Sequence, residues 1–361
     1  MNETTQLVHD TLERILRDTV DSGLRERAET HDGAAAVFPA ALWQTLSTSG
    51  LTMASVPEAL GGPGLPLADA FALVRLIGAY AAPVPLAEHL LTARVLAEQS
   101  VALPDGVLSL VCSTAADTLV IENNTARGEL ALVPWGRMAE RVLVVLPSGQ
   151  AVLLSPADAE ITTGRNIAGE PWDTLRCNAT PVQHIDTGAW LPANLQLNLA
   201  LMRAVMLSGA MSAVLNTSID YVQMRKQFGK PISGFQAIQH SLAVMAGECA
   251  AAQRMADAAL EAHGTAGFAN EVAAAKARAG EAAGIVAAVA HQVHGAMGFT
   301  HEHHLHHFTR RLMAWRDDYG NEVFWQRELG RAISAVGADQ AWSFLTTSGG
   351  GRPGTGPDGR W

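Results

Sequence analysis

The sequence predicts a mostly α protein with a small β domain in the middle of the chain. Three observations carry that expectation. The first hundred residues place apolar side chains at helical spacing. Short Val-, Leu- and Ile-rich segments then follow Pro104. From Pro192 onward, long Ala- and Leu-rich amphipathic runs continue almost to the end. The division expected is an N-terminal helical domain over 1–104, a middle antiparallel β domain over 105–190, a C-terminal four-helix bundle over 191–346 and a mobile tail over 347–361.

The N-terminal elements follow from spacing and punctuation. Val8, Leu12, Ile15 and Leu16 share a helical face between Gln6 and Val20, and Thr4 or Thr5 can cap the start. Pro39 to Ser49 reads as a second helix stopped by Gly50 in a left-handed conformation. A glycine turn, Val56-Pro57-Glu58-Ala59-Leu60-Gly61-Gly62-Pro63-Gly64-Leu65, precedes helical spacing from Asp69 to Tyr80 (Phe71, Val74, Leu76, Ile77). After Pro83 and Pro85 one more helix runs to about Gln99.

The texture then changes. Segments 107–112, 119–122, 129–133, 141–146, 152–154 and 180–185 are short, rich in β-branched residues and broken by Gly, Pro, Asn and Asp. No helices fit between them, so an antiparallel arrangement is expected over a doubly wound parallel one. The bundle helices are expected over 194–225, 235–263, 270–297 and 321–336, and the Gly- and Pro-punctuated 347–361 reads as a mobile tail.

Composition bounds the function. The chain has 361 residues, 48% hydrophobic and 17% charged, enough to bury a large core. A formal net charge of -10 argues against a general nucleic-acid binder, which needs a basic surface. Cys112, Cys177 and Cys249 are far apart and odd in number, which reads as reduced thiols in a cytoplasmic protein. The early acids in MNETTQLVHDTLERIL do not suit a signal peptide, and no uninterrupted apolar run suggests a membrane span.

The stretch Asp220 to Gln239, DYVQMRKQFGKPISGFQAIQ, places a tight turn (Phe228-Gly229-Lys230-Pro231) between two long helical patterns. A second segment, Gln292-Val293-His294-Gly295-Ala296-Met297-Gly298-Phe299, lies at the end of the helical run 270–297. With the turn at Val56 to Leu65, these segments resemble the acyl-CoA dehydrogenase family, and the resemblance covers nearly the whole chain. It implies that family's fold, FAD as cofactor, an acyl-CoA substrate, and α,β-desaturation by proton abstraction from the α-carbon with hydride passing from the β-carbon to flavin N5. It implies that Arg225 contacts the FAD pyrophosphate, where a planar guanidinium offers paired donors. Phe228 then offers an apolar face at the adenosine end, Gln236 follows the turn, and Gln292 and Gly295 lie near the adenine and pyrophosphate.

The chemical end of the pattern departs from the family. The Thr-Glu-Pro-Gly type loop expected between Ser109 and Glu129 is missing, and Val133-Pro134-Trp135-Gly136 is a candidate relic of a flavin-adjacent Trp. Counting from the two flanking motifs, the catalytic glutamate falls on Tyr319 or Gly320. The alternative site used by some members falls near Met202, within 194–218, which holds no acid. The catalytic residue is therefore unknown from sequence, with Asp317, Asp318 and Glu322 as neighbouring carboxylates whose plain role is helix capping and dipole pairing.

A missing base and a short chain resemble the non-catalytic subunits of heterotetrameric acyl-CoA dehydrogenases from sterol side-chain catabolism, where an unlike partner supplies the glutamate. The alternatives are a self-sufficient homotetramer using Asp318 or Glu322, and a catalytically silent scaffold. The run His301-Glu302-His303-His304-Leu305-His306-His307 could place His303 and His307 on one face if helical. It aligns with a family segment that holds no metal, so none is expected there, and a pH-sensitive subunit contact is the better reading.

Overall fold

The computed structural model describes residues 3–29, 37–114 and 117–346. The expected tail at 347–361 lies outside them. The chain divides into two compact units, one built from 1–73 and 83–199, the other from 74–82 and 200–361.

In the first unit, α1 (Glu3–Thr19), α2 (Ser22–Ala28), α3 (Ala40–Thr48) and α4 (Leu67–Ala72) precede the long α6 (Leu86–Glu98); the intervening α5 (Val74–Ala79) belongs to the second unit. Leu12 and Leu16 bury the face of α1 that the spacing picked out. Thr5 Oγ1 donates to Asp69 Oδ2 at 2.9 Å and so ties α1 to α4. Gly50 has φ 72°, the left-handed stop expected after α3. The helix α2, which the sequence pattern did not suggest, starts on Asp21, whose side chain accepts from Leu24 N at 2.7 Å.

Helix α6 is buried along almost its whole length. Its His89 Nδ1 accepts from Leu108 N at 3.0 Å, satisfying the first donor of β1 (Leu108–Cys112). Burial pushes the His89 imidazole down to about 3, so it stays neutral and keeps that lone pair.

The sheet continues with β2 (Val120–Glu122), β3 (Thr125–Pro134), β4 (Arg141–Val145), β5 (Ala151–Leu154), β6 (Glu160–Thr162) and β7 (Trp172–Ile185). The strand order is β1-β4-β5-β7-β3-β2, with β6 on β7. The expected antiparallel pairing is corrected at one place: β1 pairs parallel with β4, while the other pairs are antiparallel. The β2–β3 hairpin lies between the two in sequence and supplies the crossover that parallel neighbours require. Strand β7 is 14 residues long and serves β5, β6 and β3, so it joins the sheet's two halves. Val111, Leu130, Val142, Val144, Val152 and Leu175 fill the core beneath. Trp135 is a core residue at φ 56°, its ring 6.4 Å from that of Phe38.

The second unit is helical: α5, the greater part of α7 (Pro192–Met224), α8 (Gln236–Glu261), α9 (Phe268–His294), α10 (Leu305–Asp317), α11 (Glu322–Val336) and α12 (Ala338–Thr346). Helix α10, which carries the last of the histidine run, lies between the expected helices 270–297 and 321–336 and is not among them. Helix α7 is long and apolar enough to cross a membrane by length and composition, but 83% of its apolar window is buried inside the protein. Two glycines let α5 and α7 touch backbone to backbone. A Cβ at Gly78 would sit 1.9 Å from Met206 O, and one at Gly209 would sit 2.0 Å from Arg75 O. Arg75 on α5 also donates to Ser208 Oγ at 3.2 Å and pairs with Asp257 of α8. Helices α8 and α9 bury mostly alanines, among them Ala252, Ala256, Ala259, Ala275, Ala279 and Ala282.

Gly209→Ala is therefore expected to destabilise, because the two backbones must separate; overpacking costs on the order of 1–3 kcal/mol. Gly247 on α8 has nothing within 4 Å of a Cβ, so Gly247→Ala is expected to be neutral or to stabilise by up to about 1 kcal/mol. Urea unfolding midpoints of the two variants check the contrast.

Candidate functional site

Helix α7 ends where its apolar pattern ends, and the chain turns back through β8 (Lys226–Gln227) and β9 (Lys230–Pro231). Gln227 pairs with Lys230, leaving the two-residue loop Phe228-Gly229 with φ of 52° and 81°. Two positive φ values are what a type I′ hairpin loop demands. Glycine adopts that conformation freely, but phenylalanine is held there at a cost of roughly 1–2 kcal/mol. The strained ring is also 89% exposed. Its edge contact is with Phe235 at 6.1 Å, and Lys230 Nζ lies 4.5 Å over the Phe235 ring. Ile232 N donates to Arg225 O at 2.9 Å and closes the turn at its base.

An apolar knot anchors the hairpin to both neighbouring helices. Val222, Ile232 and Val293 form it, with Tyr221 and Phe235 packed against it. Tyr221 Oη donates to His294 O at 3.1 Å and its ring stacks on the His294 ring at 4.3 Å. The knot thus brings together the end of α7, the start of α8 and the end of α9, the three places that hold the five residues singled out from the sequence. Arg225 is exposed and has no ion-pair partner among the described residues. Gln236 is the exposed first residue of α8, whose N-cap Phe235 makes no side-chain cap. Gln292 is exposed on the last turn of α9. Gly295 follows at φ 59° and ψ −139°, open to solvent with nothing within 4 Å of a Cβ, in backbone space that essentially only glycine enters.

The chemistry of this surface suits a dinucleotide. It offers an uncommitted guanidinium, the donor-rich N-terminus of a 26-residue helix, two side-chain amides, a bare glycine and an exposed aromatic face. All five residues are exposed on the chain by itself.

The region where a base was sought lies in the α10–α11 turn. Asp318 is buried and accepts from Arg203 Nε at 2.8 Å. Arg203 is itself 2% exposed. It is the one charged residue on α7 before Asp220, in an otherwise apolar and neutral run. The Arg203 guanidinium also lies 5.2 Å from the ring centre of Tyr319. Tyr319 and Gly320 both take left-handed backbone, φ 57° and 101°. Gly320 is required there, since a Cβ would meet Trp325 Nε1 at 2.8 Å. Asn321 caps α11 by accepting from Phe324 N at 3.1 Å.

Glu322, the other nominated base, accepts from Arg316 Nε at 2.9 Å in a two-pronged pair. The hydrogen bond from Arg316 holds its carboxyl below the usual range, against the opposing effect of burial. Met202 is fully buried. Asp317 is exposed at the end of α10. The sequence reading missed two residues that organise this turn, Arg203 and Lys276. The signal for Arg203 was available: one arginine in an uncharged helical run must find a buried anion.

The histidine run is corrected in one respect. Helix α10 starts at Leu305, so His303 lies before the helix, not one turn from His307 on a common face. His303 Nδ1 instead accepts from Leu305 N at 3.2 Å. His294, beneath it, keeps Nδ1 on Ala290 O at 2.8 Å, and burial pushes its pKa to about 4.

Family models for two domains match the chain: "Acyl-CoA dehydrogenase, N-terminal domain" over residues 3–99 and "Acyl-CoA dehydrogenase, C-terminal domain" over 194–320. Together they cover more than half of it. The chain belongs to the acyl-CoA dehydrogenase family. Members of this family are FAD-dependent oxidoreductases acting on CH–CH donors. The acyl-CoA dehydrogenase IpdE2 of Mycobacterium tuberculosis is 28% identical over 314 residues, covering 82% of this chain and 90% of that one. In fold, the chain matches a structure of the ChsE4-ChsE5 complex from M. tuberculosis with TM-score 0.83 at 21% identity, over 94% of this chain and 99% of that one. It matches a Tcur3481-Tcur3483 steroid acyl-CoA dehydrogenase variant with TM-score 0.79 at 24% identity, over 92% and 98%.

Two outcomes follow from this geometry. Arg203→Met and Asp318→Asn should each destabilise by about 3–5 kcal/mol, because each leaves the opposite partner buried without it. The Arg203→Met/Asp318→Leu double variant should recover much of that loss, so a double-mutant cycle by urea unfolding should give strongly non-additive values. For His294 the folded pKa lies below the ordinary 6.5, so its contribution is fully present above pH 6.5 and is lost as pH falls toward 4. The slope in that window is up to about 1.4 kcal/mol per pH unit. Unfolding midpoints at pH 7.5 and 5.0 should show His294→Gln losing less stability on acidification than the unchanged chain.

Proposed function

We propose that this chain is a FAD-binding subunit of an acyl-CoA dehydrogenase that introduces an α,β double bond into an acyl-CoA, in an oligomer where an unlike chain carries the catalytic carboxylate. The observation that carries this reading is the condition of the acids beside the expected base position. Asp318 is committed to buried Arg203, and Glu322 to Arg316. A carboxylate held by a guanidinium is stabilised in its charged form, which makes it a poorer proton acceptor. A useful base needs the opposite environment, an apolar slot that raises its affinity for a proton.

FAD, when bound, would supply the hydride acceptor for the β-carbon. The residues of this chain would hold it. Arg225 would donate to the diphosphate, Phe228 would cover the adenosine end, and Gln236, Gln292 and the bare backbone at Gly295 would line the nucleotide. Because these groups are exposed on the chain alone, the cofactor would lie between chains, with solvent excluded only on assembly. The strained, solvent-facing Phe228 supports this arrangement, since a large apolar ring held at a backbone cost is a contact waiting for its partner.

The match to a steroid acyl-CoA dehydrogenase favours a steroid-derived acyl-CoA as substrate, and the match to the ChsE4-ChsE5 complex favours an assembly with an unlike chain over identical chains alone. The three thiols are free, as a cytoplasmic location requires.

Purification of the chain alone and together with the products of its neighbouring genes tests the reading. The chain alone should carry little flavin and no dehydrogenase activity; the pair should show a flavin absorption band and turnover. Within the pair, Glu322→Gln should retain turnover, and replacing the partner's carboxylate base by an amide should abolish it. Arg225→Met should weaken FAD retention by roughly 10- to 100-fold, the equivalent of about 1.5–3 kcal/mol for a hydrogen bond to a charged group. An active, flavin-loaded preparation of this chain alone would defeat the proposal.

A further inference from the structure

Lys276, on α9, is fully buried, yet neither the nucleotide surface nor the proton chemistry uses it. Its Nζ donates to Arg316 O and to Gly320 O, both at 2.6 Å. These carbonyls bracket the turn between α10 and α11, the segment that holds Asp318 and Tyr319. The last turn of a helix leaves its carbonyls without intrahelical donors, and the ammonium collects one of these, from Arg316, together with the Gly320 carbonyl of the turn that follows. The Gly320 carbonyl is shared: Trp325 Nε1 also donates to it at 3.1 Å, and to Tyr319 O at 3.2 Å. Two consecutive left-handed residues, one of them a tyrosine, do not persist without such external ties.

We propose that Lys276 is the positioning residue of this turn, its ammonium pinning the carbonyls on either side of Tyr319 so that Asp318 stays on Arg203 and the Tyr319 ring stays over that guanidinium. The pin works through the turn and touches no reacting atom. Its consequence for the reaction rests on the function proposed above, in which Asp318–Asn321 occupies the family's base position beside the acyl-CoA. There, Lys276 would fix the shape of the wall that the substrate meets.

The pin is conditional on charge. Asp318, Asp317 and Glu322 favour the ammonium, Arg203 disfavours it, and burial outweighs them and lowers its pKa to about 8. Arg316, whose carbonyl accepts from Lys276, is itself paired with Glu322. An ammonium holds two carbonyls and has a third donor, whereas the neutral amine has two donors and no charge, so the turn should loosen as pH rises past this value.

Fluorine NMR of the isolated chain labelled with 5-fluorotryptophan tests the pin without any activity. The Trp325 resonance, assigned by its loss in Trp325→Phe, should shift with pH with a midpoint near 8. Lys276→Arg should abolish that titration and hold the low-pH position. Asp318→Asn, which removes the largest favourable charge, should move the midpoint to lower pH, and serves where arginine does not fit. In the flavin-loaded pair, KM for the acyl-CoA should rise over the same pH interval with kcat little changed, and Lys276→Arg should flatten it. A Trp325 resonance without a titration, or one that persists unchanged in both variants, overturns the pin. A titration that KM does not follow overturns the positioning role. An intact titration in a chain that no partner activates would refute the function proposed above and leave the pin standing.

Discussion

One buried ion pair sets the character of the second unit. Arg203 sits buried in the long apolar helix α7, where a guanidinium costs several kcal/mol unless an anion meets it. Asp318 meets it at 2.8 Å. From that requirement much of the local structure follows. The chain must leave α10 in time to bring Asp318 inward, which commits Tyr319 and Gly320 to left-handed backbone before Asn321 starts α11. Lys276 and Trp325 then satisfy the carbonyls that this tight turn exposes. Fold and chemistry meet here: the arrangement that makes the turn stable also commits Asp318.

The surface proposed to hold the nucleotide follows a different logic. Its residues are held firmly by an apolar knot, yet every one of them faces outward. Rigid elements presenting unsatisfied donors and an exposed aromatic ring are economical only where another surface completes them. The combination of a committed turn and an exposed candidate cofactor face is what supports the proposal of a subunit over a complete enzyme.

Much of this was legible in the sequence. The helical periods of α1, α7, α8 and α9 are long and regular, and the Phe228-Gly229 turn announces itself by its residues. The parts that escaped depend on distant partners. The parallel pairing of β1 with β4 is set by a crossover that no local pattern encodes. Helix α10 was obscured because its histidines carry weak helix preference and its apolar face is short. Arg203 could have been noticed as a lone charge, but its partner lies 115 residues away and is one of several acids nearby. Lys276, in an Ala-rich helix, looks like an ordinary surface lysine until the fold places it against two carbonyls.

In the proposed function the proton acceptor is carried by the unlike chain and not by this one. Exchange of the substrate's α-proton isolates that step from hydride transfer. The measurement is deuterium incorporation into a non-oxidisable acyl-CoA analogue in heavy water, catalysed by the flavin-loaded pair whose partner carboxylate has been replaced by an amide. No incorporation above the uncatalysed rate is predicted. Incorporation that survives in that pair and disappears on adding Asp318→Asn or Glu322→Gln would contradict it.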